Sequence, residues 1–184
     1  VETRLLGRRL ARVELAGPIF VCGLARAGTT ILLELISQHR EAASFRYKDF
    51  PFVMLPHWWD TFLKVNREGP SAPVERSHAD RIQVTPDSPE AMEEILWMRY
   101  FPRSHEPSVN NLLGRNRRQP DFDNLYRQTI RKLLLSRNTN RYLAKNNYNI
   151  TRLDYLVDLF PDARFVIPVR DPVWHIASLM KQHR

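Results

Sequence analysis

Residues suited to binding a phosphate group follow an apolar segment near the amino terminus. Residues 18–22 are typical of a buried strand, and a short loop leads from them into an apolar helix. Gly23 and Gly28 have the four-residue gap of the nucleotide-binding loop G-x-x-x-x-G-K-[ST], but Thr29 stands where that motif has lysine and the cation is Arg26. The altered loop is therefore expected to hold a different phosphate ester.

The residue types of this loop suit an anion. A helix start leaves backbone N–H groups without intrahelical acceptors, and the aligned peptide dipoles place partial positive charge there. Gly28 allows close approach of the backbone, Thr29 and Thr30 add hydroxyl groups, and Arg26 carries a permanent charge. An ordinary capped junction between strand and helix is the alternative.

A second strand, turn and helix occur near the carboxyl terminus. Residues 162–169 are typical of a buried strand, and the Arg-Asp-Pro sequence that follows ends it. Arg170 is expected at the carboxyl end of that strand and Ser178 about two turns into the next helix, where a guanidinium and a hydroxyl can share one phosphate. The alternatives are a surface ion pair between Arg170 and Asp171 and a solvated Ser178.

Together these segments resemble the sulfotransferases that use 3′-phosphoadenosine 5′-phosphosulfate (PAPS). The loop at 24–30 is similar to their 5′-phosphosulfate loop, and Arg170 followed eight positions later by Ser178 is similar to their 3′-phosphate pair. Arginine at position 26 resembles the bacterial and tyrosyl-protein branches. The resemblance implies a PAPS site formed by Arg26, Ala27, Gly28, Thr29, Thr30, Arg170 and Ser178.

The resemblance also implies a reaction: in-line transfer of a sulfuryl group from PAPS to a hydroxyl of a saccharide, a tyrosine or a small molecule. Fixed cations can stabilise the charge that develops on the transferred group without a metal. Arg26 is the candidate for the bridging oxygen. Lys145 resembles the lysine of the Lys-Asp-Pro or Lys-Asn-Pro motif that stabilises the sulfuryl oxygens, and a solvated lysine at a strand end is the alternative.

An acceptor hydroxyl also needs a general base. In the similar branches a carboxylate soon after the loop helix has this role, and Asp49 is the candidate here, although the tyrosyl-protein pattern has its Glu nearer to Tyr47. His57 is the second candidate because histidine has a pKa near neutrality. An unidentified group is the third. Trp58 and Trp59 either stack on an acceptor or form a local core.

The alternation of strands and helices predicts an α/β fold of the P-loop-like, three-layer α/β/α kind with a central parallel sheet. Ligands of such sheets bind at the carboxyl ends of the strands, where Arg26, Lys145 and Arg170 are expected. The predicted strands cover 18–23, 141–145 and 164–169. The predicted helices cover 1–14, 29–39, 88–101, 122–133, 153–160 and the residues after 172.

Two further segments have weaker patterns. Residues 43–87 are rich in aromatic residues and proline, which favours a folded loop region without a regular element. Ser88 is expected to cap the next helix, with Pro89 in its first position.

Neighbouring helix residues point about 100° apart, so Glu93 and Glu94 are not expected to share a site. We interpret His78 and His175 as structural.

The amino-acid composition bears on membrane insertion, disulfide bonding, cellular compartment and metal binding. The 184 residues are 43% hydrophobic and have a net charge of +8, and the longest apolar runs are too short for a membrane span. The single cysteine, Cys22, excludes an internal disulfide and favours a reducing, cytoplasmic compartment. No signal peptide is visible, although a chain beginning at Val1 could already be processed. The scattered histidines do not predict a metal site.

The positive charge is concentrated in residues 99–152, which contain twelve Lys or Arg and three Asp or Glu. This segment could attract a nucleotide, an acidic saccharide or nucleic acid, or form a solvated helix face. Two other functions therefore stay open: a nucleotide kinase or NTPase, which normally needs a loop lysine and a magnesium-binding aspartate, and a non-enzymatic polyanion binder. Specific nucleic-acid recognition is not expected.

The sulfotransferase resemblance covers about residue 17 to the carboxyl terminus. Members of that family usually have a Gly-x-x-Gly-x-x-Lys segment after the 3′-phosphate helix, and nothing before Arg184 matches it. We therefore expect residues 1–184 to form a single sulfotransferase-like domain that is incomplete at its carboxyl terminus.

Overall fold

The structure is a computed structural model that describes residues 1–66, 72–75 and 82–182. The strands are β1 (Ile19–Cys22), β2 (Ala42–Ala43), β3 (Val74–Glu75), β4 (Gln83–Val84), β5 (Arg141–Asn146) and β6 (Arg164–Val166). The α-helices are α1 (Glu2–Leu5), α2 (Gly7–Leu10), α3 (Thr29–Ser37), α4 (Pro56–Val65), α5 (Glu94–Tyr100), α6 (Pro120–Arg137), α7 (Leu153–Leu159) and α8 (Pro172–Gln182). His78 lies outside the described residues.

The main sheet has four strands in the order β2-β5-β1-β6, and every neighbouring pair is parallel. The connection from β5 through α7 to β6 passes over β1, which lies between them. The central parallel sheet predicted from the alternation of elements is therefore confirmed. Strands β3 and β4 form a separate antiparallel pair.

Side chains alternate between the two faces of this sheet. Phe20 and Cys22 of β1 belong to the larger core cluster, whereas Val21 joins a smaller cluster with Leu33 of α3 and Leu143 of β5. Because successive strand residues point to opposite faces, the two clusters lie on opposite sides of the sheet. This gives the three layers expected of an α/β/α fold.

The larger core is mainly aromatic. Trp97 of α5 is fully buried, and its ring centroid lies 4.4 Å from that of Phe122 and 5.4 Å from that of Tyr155. These contacts hold α5, α6 and α7 together on one face of the sheet. The buried side of α6 continues along this core through Tyr126 and Ile130.

The amino-terminal segment forms two short helices instead of the single predicted helix. Leu6 and Leu10 lie on its buried side. Glu2 is also buried: its Oε1 accepts a hydrogen bond from the Trp58 backbone N–H (2.7 Å), and its Oε2 lies 3.0 Å from Lys132 Nζ. The hydrogen bond joins α1 to α4, and the ion pair joins α1 to α6.

Two predictions about local structure are wrong. The region 43–87 contains a ten-residue helix, α4, which begins with Pro56 at its first position. The helix predicted to begin after Ser88 begins at Glu94. The Ser88 hydroxyl accepts a bond from the Thr85 N–H, and Pro89 forms an isolated β-bridge with Arg46, so this stretch is held extended.

The other boundaries lie close to those predicted. Helix α3 ends at Ser37 instead of residue 39, and β6 ends at Val166 instead of residue 169. Within the described parts of the chain, no helix has the length and apolar character needed to cross a membrane.

Candidate functional site

The loop between β1 and α3 has an unusual backbone. Gly28 caps α3 with φ of 102°, and Arg26 has φ of 67°, a left-handed conformation that side-chain-bearing residues rarely adopt. The cap residue has no side chain that could accept bonds from the first helical N–H groups. The loop therefore presents the start of α3 to a ligand, an arrangement suited to anion binding.

The two loop glycines have different surroundings. A Cβ atom added at Gly28 would have no described atom within 4 Å. One added at Gly23 would lie 3.2 Å from Thr29 Cγ2 and 3.5 Å from Pro168 Cδ. Gly23 is therefore needed for close packing below the loop, whereas Gly28 is needed for its backbone conformation and leaves open space.

The carboxyl-terminal element contacts this loop directly. Arg170 Nη1 donates a hydrogen bond to the Arg26 carbonyl oxygen (3.1 Å), and Arg26 Nε donates to Ser178 Oγ (3.1 Å). Asp171 does not pair with Arg170 in these contacts; its carboxylate accepts from the Val173 N–H at the start of α8. The structure thus brings Arg26, Arg170 and Ser178 together at one edge of the sheet.

His175 also contacts the loop, which was not predicted from the sequence. Its Nε2 lies 2.7 Å from the Ala25 carbonyl oxygen and donates to it, since a carbonyl oxygen only accepts. The interpretation of His175 as structural named no contact between this residue and the loop. A histidine one turn into a helix gives no signal of such a partner, because that partner lies 150 residues away.

Strand β5 supplies the third side of the site. Lys145 is paired in register with Val21, one residue before the end of β1, and is partly buried. Asn147 follows the strand, and its Oδ1 accepts from Thr29 Oγ1 at 3.5 Å. The carboxyl ends of β1 and β5 therefore place Lys145 and the loop side by side.

A polar cluster lies next to the end of β5. Glu94 accepts two bonds from Arg152 (2.8 and 2.6 Å), one from Asn146 Nδ2 and one from His105 Nε2 (2.7 Å). Burial raises the pKa of Glu94, but the hydrogen bonds and charge of Arg152 outweigh it and lower the pKa below its usual value. Glu94 is therefore an anion. No sequence motif identified His105.

The neighbouring Glu93 belongs to a separate network inside the core. Its Oε2 accepts bonds from the hydroxyls of Tyr126 (2.5 Å) and Tyr142 (2.7 Å), and Asn149 Nδ2 lies 3.3 Å from Oε1. Burial raises the pKa of the Glu93 carboxyl. The two adjacent glutamates thus have different partners, as predicted from their directions on a helix.

Asp49 lies in a buried ion pair away from these contacts. Its Oδ1 accepts from Arg137 Nη2 (2.7 Å) and its Oδ2 from the Arg46 N–H (2.8 Å). Arg137 ends α6, just before the amino end of β5, and it also bonds Asp60. Asp49 is therefore joined directly to α6 and, through Arg137, to Asp60 of α4, and these contacts do not include the loop.

His57 occupies the first turn of α4, beside the amino-terminal helices. Burial is the main cause that lowers its pKa below the ordinary value, and the charge of Arg9 adds to the effect. Its Nδ1 is buried without a hydrogen-bond partner among the described residues. The neighbouring Trp59 packs between Phe52 and Phe62, which makes it part of a local core.

Several Lys and Arg side chains of residues 99–152 are buried or paired with acidic side chains of the protein. Arg152 lies over the Trp97 ring at 4.4 Å and is 1% exposed. Lys132 is equally buried, and Arg118 pairs with Asp123. Arg115 and Arg117 are exposed. This segment is therefore only in part a solvated surface.

No group of three or more His, Cys, Asp or Glu side chains is placed to bind a metal ion within the described ranges. The thiol of Cys22 is buried in β1, where burial first and Glu93 second raise its pKa to about 12.

Comparison with known proteins gives consistent matches. The family model described as "Sulfotransferase family" matches residues 18–184. Two curated relatives, the omega-hydroxy-beta-dihydromenaquinone-9 sulfotransferases Stf3 of Mycobacterium bovis and Mycobacterium tuberculosis, are each 23% identical over 196 residues. Those alignments cover 98% of this chain and 49% of each relative, so the chain spans about half the length of the curated relatives it matches.

Solved structures show the same fold. The sulfotransferase STF1 from Mycobacterium tuberculosis H37Rv aligns over 100% of this chain and 54% of its own, with a TM-score of 0.61 and 20% identity. The sulfotransferase STF9 from Mycobacterium avium aligns over 98% of this chain and 50% of its own, with a TM-score of 0.56 and 18% identity.

Proposed function

Because the chain belongs to the sulfotransferase family, we propose that it transfers a sulfuryl group from PAPS to the hydroxyl of an acceptor. The observation that carries this proposal is the contact between two segments that are distant in the sequence. Arg170 donates to the Arg26 carbonyl oxygen across 144 residues, so the loop and the start of α8 form the walls of one site. A donor with phosphate groups at both ends of its ribose needs such a site.

The two ends of PAPS have different partners in this proposal. The backbone of Ala27 and Gly28 and the hydroxyls of Thr29 and Thr30 hold the 5′-phosphosulfate at the start of α3. Arg170 and Ser178 bind the 3′-phosphate at the other end of the donor, since a guanidinium and a hydroxyl are suitable hydrogen-bond donors to a phosphate.

Transfer then depends on positive charge near the reacting atoms. Arg26 stabilises the bridging oxygen as the bond from sulfur to that oxygen breaks, and Lys145 stabilises the sulfuryl oxygens. Their positions at the carboxyl ends of β1 and β5 support this assignment, because ligands of parallel sheets bind there. The proposed mechanism requires no metal ion, since fixed cations supply the stabilisation.

The acceptor is a hydroxyl of a saccharide, a tyrosine or a small molecule. Asp49 and His57 stay predicted candidates for the general base from the sequence. Both carboxylate oxygens of Asp49 already accept hydrogen bonds within the protein.

Calorimetry separates this function from its alternatives. We expect adenosine 3′,5′-bisphosphate to bind in the micromolar range with or without magnesium, and to bind much more weakly after Arg170→Ala. Preference for magnesium ATP would indicate a kinase or NTPase instead. Binding of heparin alone would indicate a polyanion binder, and either result would overturn the proposal.

The acceptor can be identified with a labelled donor. The protein is incubated with labelled PAPS and a cell extract, and products are searched by mass spectrometry for the mass of an added SO₃ group. Arg26→Ala is the control, because it removes the cation assigned to the bridging oxygen.

A further inference from the structure

A carboxylate and an imidazole form a pair next to the carboxyl end of β5. His105 Nε2 lies 2.7 Å from Glu94 Oε1. The His105 ring also stacks on Tyr148, with a centroid separation of 4.2 Å and an interplanar angle of 18°. The ring is thus held at its edge by Glu94 and on its face by Tyr148.

Two consecutive residues connect this pair to the loop. Asn146 Nδ2 donates to Glu94 Oε2, whereas Asn147 Oδ1 accepts from Thr29 in the first turn of α3. Since adjacent Cα atoms are about 3.8 Å apart, the pair and the loop both contact the same short stretch of chain. Lys145 immediately precedes this stretch.

The hydrogen bonds define which ring nitrogen can accept a proton. Glu94 is ionised and can only accept, so the neutral ring of His105 carries its hydrogen on Nε2 and its lone pair on Nδ1. Within the described parts of the chain, Nδ1 makes no hydrogen bond, and the His105 side chain is 30% exposed. A lone pair reachable from solvent is what a general base requires.

We propose that His105 is the catalytic base for the acceptor hydroxyl and that Glu94 is a positioning residue that fixes its ring. This inference rests on the proposed sulfuryl transfer. His105 Nδ1 takes the hydroxyl proton while the acceptor oxygen forms a bond to sulfur. The bond from sulfur to the bridging oxygen breaks, and its electron pair leaves on the phosphate of adenosine 3′,5′-bisphosphate. The proton on His105 then passes to solvent.

Geometry favours His105 over the two sequence candidates. Asp49 already accepts bonds on both oxygens and is 0% exposed. His57 lies among the residues that join α4 to the amino-terminal helices, where its Trp58 neighbour bonds Glu2. Only His105, among these three, is linked by successive hydrogen bonds and ring contacts to the residues after β5.

The test measures release of adenosine 3′,5′-bisphosphate from PAPS by chromatography. Acceptors are water alone, a primary alcohol and 4-nitrophenol, which ionises readily without a base. We expect His105→Ala to lower the rate with the alcohol by about 100-fold or more, the usual contribution of a general base, and to lower it much less with 4-nitrophenol. Added imidazole should restore part of the alcohol rate.

Three variants serve as controls. His39→Ala removes an exposed histidine near the far end of α3 and should leave the rate unchanged. Glu94→Gln should lower kcat while the affinity for adenosine 3′,5′-bisphosphate stays the same, which separates positioning from loss of structure. His105→Gln replaces His105→Ala if the alanine variant does not fold, as judged by thermal unfolding.

The outcomes distinguish this inference from the proposed function. If wild type and His105→Ala release adenosine 3′,5′-bisphosphate from PAPS at equal rates when the alcohol is the acceptor, His105 is not the base. The proposed transferase function then stands. If wild type binds the bisphosphate but releases none from PAPS with any acceptor, the inference fails while the donor site stands. Absence of bisphosphate binding by wild type overturns the proposed function itself.

Discussion

Arg26 Nε donates a hydrogen bond to Ser178 Oγ at 3.1 Å, although 152 residues separate the two in the chain. The bond joins the phosphate loop to the second turn of α8. It also places the Ser178 hydroxyl beside the Arg26 guanidinium, which supports the proposal that both act on one ligand.

The first prediction concerns this hydroxyl. Ser178→Ala should weaken binding of adenosine 3′,5′-bisphosphate by about 10-fold or more, because a hydrogen bond to a charged group contributes about 1.5–3 kcal/mol. Adenosine 5′-monophosphate, which has no 3′-phosphate, should bind with unchanged affinity. Calorimetry measures both.

Ser37→Ala is the matched control for that experiment, since the Ser37 hydroxyl donates to the Glu34 carbonyl at the other end of α3. Equal weakening of both nucleotides by Ser178→Ala would mean that Ser178 does not bind the 3′-phosphate.

The second prediction concerns the loop backbone. Gly28 has φ of 102°, so Gly28→Ala should lower the free energy of unfolding by about 1–2 kcal/mol even though the space around it is open. Gly7→Ala is the control: it has equal space and no positive φ, and it should stabilise α2 slightly. Urea unfolding compares the two variants. Identical effects would refute the role of the Gly28 conformation.

The third prediction concerns the buried ion pair of Glu2 and Lys132. Their side chains are 1% and 3% exposed. Glu2→Ala leaves the ammonium group buried without its partner and should lower the free energy of unfolding by about 3–5 kcal/mol. Urea unfolding of the single variant provides the measurement.

A double variant tests the cause of that loss. Replacing both residues by methionine removes both charges and should recover most of the stability, because hydrophobic residues can substitute for a buried pair. If the double variant is as unstable as Glu2→Ala, the loss has another origin.

The fourth prediction concerns the thiol of Cys22. Burial raises its pKa to about 12, so at pH 8 almost none of it is the reactive thiolate. Iodoacetamide should therefore label the folded protein very slowly and the urea-unfolded protein readily. Mass spectrometry follows the added mass, and rapid labelling of the folded protein would contradict the burial of β1.

Local patterns were sufficient to predict the sheet and the strand, loop and helix that contain Gly23 and Gly28. The strand before Gly23, the glycine at position 28 and the apolar helix are consecutive in sequence, so spacing alone determines their arrangement. The strand before Arg170 was predicted for the same reason. In both cases the elements lie within one short segment of chain.

Several features that depend on distant partners, and that no motif indicates, were not predicted. From the sequence, Arg152 is only one cation of a basic segment. Its burial depends on Glu94 and on the Trp97 ring, which lie on α5. His105 gave no signal because its two partners lie on other elements. Helix α4 was missed because its aromatic residues pack on each other and on the loop before it, although Pro56 at the first position is typical of a helix start.

Asn146 and Asn147 are neighbours in the chain, yet the first bonds Glu94 and the second bonds Thr29. Spacing at this point matters more than residue identity. One inserted or deleted residue here would move at least one of the two amides away from its partner, because consecutive residues at a strand end point in different directions. Side chains around β5 can therefore vary more readily than the number of residues at its carboxyl end.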